Sequence, residues 1–197
     1  MIQKIIQGIQ EQGWHQAFDV LTASDLQSIN QYFDGHKGEF TPALIGIGPN
    51  KQRLESVRGD FTYWLDPLKP TAPFEKIMST LSELQGQLNQ NFYLGLKQFE
   101  CHLAFYPAGY HYQKHVDRFD TDSTRSFSFI FYLHESWNEG DGGELDLYDK
   151  NNKLLKTIQP LPGSMVGFIS EDFPHEVRVC HKERRSLTGW MHTKLLY

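Results

Sequence analysis

Apolar residues along the first third of the chain follow a helical period. Ile2, Ile5, Ile6 and Ile9 share one face, which predicts a short amphipathic helix from Met1 to about Gln12, ending before Gly13 and packing as a lid. Thr22-Ala-Ser-Asp25 has the form of a helix start, and Leu26, Ile29 and Phe33 then share a face up to a stop near Asp34-Gly35. A third helix is predicted with Pro73 at its first position and Ile77, Leu81, Leu84, Leu88 and Phe92 along its stripe. Between the second and third helices, Thr41 to Asp66 carries Gly46, Gly48, Pro49 and Gly59 among short apolar runs. This stretch reads as a hairpin or mobile loop leading into a strand over Phe61–Leu65.

From about Gln98 to Trp190 the pattern changes. Short runs rich in Phe, Tyr, Val and Ile alternate with Gly, Pro, Asn and Asp turns, which predicts a sandwich, barrel or jelly roll rather than a parallel sheet with crossover helices. No repeat, low-complexity tract or linker interrupts the chain, so a mainly β core braced by N-terminal helices is expected within one domain.

Length and charge narrow the function. A chain of 197 residues can bury a core without staples, and a formal net charge of -5 argues against general attraction to phosphate backbones, so no nucleic acid partner is expected. Cys101 and Cys180, both in segments that read as strands, lack the pairing of a zinc site or the density of a secreted scaffold, which suits a reducing cytoplasm. No stretch has the roughly 18 apolar residues of a membrane span, and no signal peptide or anchor is expected.

The candidate chemistry begins at His115-Val-Asp117. Residues two apart on a strand point the same way, so one imidazole and one carboxylate can face a single ion. His175, just after the strand-like Met165–Ile169, is placed to supply a third ligand. Two histidines and a carboxylate on one octahedral face leave positions open, as in non-haem Fe(II) oxygenases. Further on, Arg184, Ser186, Thr188 and Trp190 share one face of a predicted strand while Arg185, Leu187 and Met191 share the other. A buried Arg184 needs an anion, and its fork together with the Thr188 hydroxyl suits the far carboxylate of a dicarboxylic co-substrate. The bland alternative is two surface arginines. Ser126, Ser128, Ile130 and Tyr132 likewise oppose Phe127, Phe129 and Phe131. The aromatic face reads as core, and Tyr132 is placed either to pack or to donate its hydroxyl to the same carboxylate.

These residues resemble the prolyl-4-hydroxylase-like 2-oxoglutarate oxygenases, a family that includes the hypoxia-inducible-factor prolyl hydroxylases and bacterial relatives. The resemblance covers about the C-terminal half. It rests on Tyr106-Pro, Tyr110 ahead of His115-Val-Asp117, Arg125 with Ile130-Phe-Tyr132-Leu, Trp137, Gly142-Gly143-Glu-Leu145, Pro174-His175-Glu-Val177, and Arg184 followed by Thr188 and Trp190. Upstream, Val57-Arg58-Gly59-Asp60 with Trp64 resembles the mobile hairpin that covers the substrate in such enzymes. The resemblance implies a double-stranded β-helix (jelly-roll) core over 96–192, with 1–95 as helical support and hairpin lid. It implies Fe(II) on His115, Asp117 and His175, with 2-oxoglutarate held by Arg184 assisted by Tyr132 and Thr188. Tyr106, Leu145 and Trp190 would line the pocket. The implied reaction consumes O2 and 2-oxoglutarate and yields succinate, CO2 and a hydroxylated prolyl residue in a protein substrate, a translation component being one candidate, with ascorbate a candidate reductant. Competing readings are an oxygenase acting on a small molecule or free amino acid, and a non-catalytic jelly roll whose His115, Asp117 and His175 hold a structural metal such as zinc. Arg-Gly-Asp as an adhesion motif is set aside for lack of a secretion signal.

Overall fold

A computed structural model of the chain describes residues 1–45, 52–117 and 124–196. Three α-helices and eleven strands are assigned among these residues. The first helix, α1 (Ile2–Gln12), buries Ile2, Ile5, Ile6 and Ile9 and ends where Gly13 takes a left-handed conformation. Strand β1 (Trp14–Ala17) follows. Helix α2 (Ala23–Gly35) starts at a capping box: the Thr22 hydroxyl accepts from the Asp25 amide and the Asp25 carboxylate accepts from the Thr22 amide. Helix α3 (Glu75–Phe92) buries Ile77, Leu81, Leu84 and Leu88. It begins two residues later than the position of Pro73 suggests, because a turn closed by the Phe74 amide donating to the Thr71 carbonyl precedes it and Phe74 takes the cap.

The larger sheet contains β2 (Thr41–Pro42), β3 (Phe61–Leu65), β4 (Gln98–Tyr106), β6 (Arg125–Tyr132), β9 (Met165–Ile169) and β11 (Arg184–His192) together with β1, in the order β1-β9-β6-β11-β4-β3-β2. The smaller sheet contains β5 (Tyr112–His115), β7 (Leu145–Tyr148), β8 (Leu154–Ile158) and β10 (His175–Val177), in the order β5-β10-β7-β8. Every pairing is antiparallel.

Strand alternation divides the interior into two layers. On the outer face of the larger sheet Leu103, Phe105, Phe127, Phe129, Phe131, Leu187 and Met191 meet the apolar faces of all three helices in one cluster. On its inner face Ile130, Tyr132, Val166 and Phe168 meet Leu145, Leu147, Ile158 and Val177 of the smaller sheet. The alternation expected for β6 and β11 is thus observed, and the fold is the jelly roll with bracing helices. Helix α1 is not a lid. Its isoleucines lie in the helix-side cluster, against α3, β1 and β9, because a narrow apolar stripe is satisfied as well by the back of a sheet as by a pocket mouth. Cys180 also differs from expectation, lying outside any named strand in an isolated bridge with Gly142, while both cysteines are free and buried. Gly46, Gly48, Pro49 and Arg118 lie outside the described residues. Among the described residues no helix is long and apolar enough to cross a membrane.

If α1 is a structural brace, Ile5→Ala should cost about 2–5 kcal/mol in urea unfolding while leaving co-substrate affinity unchanged. A change in affinity without loss of stability would restore the lid.

Candidate metal centre and co-substrate pocket

Antiparallel pairing brings distant residues together at the inner layer. His175, the first residue of β10, stands directly opposite His115, the last residue of β5. Asp117 lies two residues past the end of β5, and its buried carboxylate accepts from Ser128 Oγ on β6 at 2.7 Å. Ser128 Oγ in turn lies 2.8 Å from Ser170 Oγ. His115 Nε2 is 3.6 Å from Asp117 Oδ1 and His175 Nε2 is 3.5 Å from Asp117 Oδ2, so the three side chains offer ligand atoms all within 4.8 Å of one another. This is the only such group among the described residues.

Each imidazole also makes a local hydrogen bond. His115 Nδ1 lies 2.8 Å from the Gln113 carbonyl and His175 Nδ1 lies 3.0 Å from the Phe173 carbonyl. A carbonyl only accepts, so both Nδ1 atoms carry the proton and both Nε2 lone pairs are free for an ion. Electrostatics agree. Burial disfavours the Asp117 charge, but His175, His115 and the Ser128 hydroxyl hold its carboxyl well below the usual range. Burial pushes His175 down to about 4. An ionised carboxylate beside a neutral imidazole is the state a metal takes up.

Across the cavity, Arg184 opens β11 in a fully enclosed position, 2% exposed. Its Nε donates to the Gly143 carbonyl at 2.9 Å and its Nη1 to Ser186 Oγ at 3.3 Å, while Nη2 has no hydrogen-bond partner. Gly143 is required there: its φ is +75°, and a Cβ would come 2.8 Å from Arg184 Cδ. The guanidinium carbon sits 5.3 Å from the Tyr106 ring centroid and 5.2 Å from that of Tyr132. The Tyr132 hydroxyl and Trp190 Nε1 are likewise buried with no partner at hydrogen-bonding geometry. Such orphaned donors are costly, and Arg184 and Trp190 border one cavity while Tyr132 stands against Arg184.

Of the residues singled out in the sequence, His115, Asp117, His175, Tyr106, Leu145, Arg184, Thr188 and Trp190 all line this cavity. Tyr132 instead stands fully buried against Arg184. Arg58, Asp60, His102, Tyr112 and Ser128 also line the cavity but were not assigned to it. Two of these were foreseeable: His102 shares strand parity with Tyr106, and Ser128 shares it with Tyr132. Arg58 and Asp60 are no free cover. They form a forked ion pair, Nε to Oδ1 at 2.7 Å and Nη2 to Oδ2 at 2.6 Å, set in the cavity wall.

Comparison with known proteins places this arrangement. The family model for the 2OG-Fe(II) oxygenase superfamily matches residues 101–192. A crystal structure of a prolyl-4-hydroxylase from Pseudomonas putida superposes with a TM-score of 0.87 at 32% identity, covering 99% of this chain and 100% of that one. The chain belongs to the 2OG-Fe(II) oxygenase superfamily. The oxygenase also shares its fold with a prolyl hydroxylase from Trichoplax adhaerens solved with a hypoxia-inducible-factor peptide, at TM-score 0.83 and 22% identity over 98% of this chain and 89% of that one. A PKHD-type hydroxylase of Synechocystis is 31% identical over 137 residues, 61% of this chain and 45% of that protein. The oxygenase spans less than half the length of the curated relatives it matches.

Membership implies Fe(II), 2-oxoglutarate and O2, and the residues present fit them. His115, Asp117 and His175 could bind iron through two free Nε2 lone pairs and a carboxylate. The unpartnered Arg184 Nη2 and the nearby Tyr132 hydroxyl are donors awaiting an anion.

A buried and a half-buried histidine, His102 and His134, give the chain an acid sensitivity. Burial pushes His102 and His134 each down to about 4, so both stay neutral in the fold where the unfolded chain would titrate near 6.5. Between these values the unfolded state binds more protons, so stability is complete above about pH 6.5 and falls as pH drops toward about 4. Thermal unfolding of metal-free protein should show this loss, and His102→Asn should reduce it. An unchanged pH slope in that variant would show that His102 is accessible to protons in the fold.

Proposed function

We propose that this chain is an Fe(II)- and 2-oxoglutarate-dependent oxygenase that hydroxylates a prolyl residue in a protein, with release of succinate and CO2. The observation that carries the reading is a metal-competent His115, Asp117 and His175 cluster sharing one cavity with an Arg184 guanidinium whose Nη2 has no partner. In this reading the chain works as a single domain, with 96–192 as the catalytic core and 1–95 as its support. His115, Asp117 and His175 hold Fe(II), which when bound supplies O2 activation coupled to oxidative decarboxylation of 2-oxoglutarate. Arg184 Nη2 receives the distal carboxylate, with the Tyr132 and Thr188 hydroxyls beside it. Tyr106, Leu145 and Trp190 enclose the co-substrate and exclude water, which strengthens each of these charge-assisted contacts.

The proline assignment draws on the Pseudomonas putida enzyme, alike over its whole length. A second support comes from aromatic rings in and beside the cavity wall. Trp64, 52% exposed on β3, stands 4.8 Å from the His102 ring, which is itself 5.6 Å from Trp190. These three tilted rings run from the surface to the cavity and suit the compact, apolar pyrrolidine of a proline carried on an extended segment.

Anaerobic titration with Fe(II) and then 2-oxoglutarate should raise a visible charge-transfer band that needs both additions and is absent in His175→Ala. Arg184→Ala should weaken 2-oxoglutarate binding about 10–100-fold, the range expected for hydrogen bonds to a charged group worth about 1.5–3 kcal/mol. Proline-containing proteins, translation components first, should then be screened for gain of one oxygen atom. Absence of the band in folded wild-type protein would favour the non-catalytic jelly roll. A band with oxygen gain only on free amino acids or metabolites would replace the protein substrate.

A further inference from the structure

The two histidines of the cluster are held unequally. His175 is 4% exposed, pairs with strands on both sides, and has the Phe168 ring edge-on at 4.9 Å. His115 ends the edge strand of the smaller sheet with its side chain 18% exposed, and among the described residues β10 is the only named strand paired with β5, whose Tyr112 also bridges Arg58. The His115 Nδ1 hydrogen bond to the Gln113 carbonyl fixes the tautomer but supports only one edge of the ring.

The Tyr112 ring bounds one face of that imidazole. It lies flat on the His115 imidazole, centroids 3.7 Å apart and planes 16° apart. Residues three apart on a regular strand point to opposite faces, so this stack needs an irregularity. One is present: His175 pairs with His115 but Val177 pairs with Tyr112, so Gln113 and Lys114 of β5 together oppose the single Glu176 of β10 and the register shifts between them. Such bulges re-aim side chains beside active sites.

Behind the tyrosine stands Arg58. Its guanidinium carbon lies 4.3 Å over the Tyr112 ring, and with the imidazole against one face the guanidinium is left the other. Its plane is fixed by the fork onto Asp60, which is 2% exposed. The backbone is fastened too, with the Gln113 amide donating to the Val57 carbonyl at 2.8 Å and the Gly59 amide to the His111 carbonyl at 3.1 Å. Gly59 permits this approach, since a Cβ there would fall 1.8 Å from the Tyr110 ring. Burying an ion pair is rarely worthwhile for stability alone.

We infer that Arg58 and Tyr112 are positioning residues for the metal: the Arg58–Asp60 fork holds the Tyr112 ring against His115 and so aims His115 Nε2 at the ion. The inference rests on the metal-site reading above, and the test separates the two. Wild-type protein and variants are titrated with Co(II), following its visible d–d absorption, with thermal unfolding of each metal-free protein alongside. Tyr112→Leu and Arg58→Gln should lower Co(II) affinity about tenfold or more, the cost typical of losing an outer partner of a ligand, and should alter the absorption envelope. Tyr112→Phe keeps the ring and should retain both. If Arg58→Gln fails to fold because Asp60 is left unpaired, the double variant Arg58→Gln/Asp60→Asn removes both charges and carries the same expectation. Wild-type affinity and spectrum in Tyr112→Leu would overturn the inference, as would Tyr112→Phe losing as much as Tyr112→Leu. No Co(II) binding by wild type, or undiminished binding by His175→Ala, would bring down the metal-site reading and the inference with it.

Discussion

The inner face of the larger sheet carries polar side chains into a space closed by a second sheet, and burying such groups costs free energy unless each finds a partner. Its outer face is mainly apolar and covered by the helices, with Arg185 paired to Asp34 and Asn30 of α2. Inside, Ser128, Ser186 and Arg184 are all 2% exposed or less and interleave with Ile130 and Val166. Most of their hydrogen-bonding capacity is met locally, by Asp117, Ser170, the Gly143 carbonyl and one another. What remains unmet is confined to a few atoms, and several of them border one cavity. A fold that leaves donors unpaired in one place, while satisfying their neighbours, leaves room for an anion there.

Much of this was legible in the sequence because strand parity is a two-state code. Reading Arg184, Ser186, Thr188 and Trp190 as one face, and Arg185, Leu187 and Met191 as the other, assigns one arginine to the interior. The other meets Asp34 and Asn30 of α2. Phe127, Phe129 and Phe131 are sorted in the same way. The code fails where the strand is irregular. Tyr112 and His115 share a face only because of the bulge in β5, which no local pattern announces. Parity also says nothing about what an apolar stripe packs against, hence the misplaced α1. Arg58 and Asp60 were visible as a motif, but their partner lies 54 residues along the chain at Tyr112, a pairing only the sheet creates.

The family match begins at Cys101, inside β4, and ends at His192. Strands β1, β2 and β3 nevertheless complete the larger sheet, and β3 brings Trp64 against His102 of the cavity wall while the segment before it brings Arg58 and Asp60 into that wall. The N-terminal portion therefore does more than brace. It supplies part of the wall from residues outside the matched segment.

The two sheets are not equally supported. The larger is backed by three helices. The smaller has no described helix in its cluster and carries on its outer side contacts such as Arg178 with Asp146 and Lys114 over Tyr148. His115 and His175 ride on the sheet with no described helix behind it, whereas Arg184 and Thr188 ride on the helix-backed one. A dicarboxylate held by Arg184 at one end and by the histidine side of the cavity at the other would therefore be a strut between two separately supported walls.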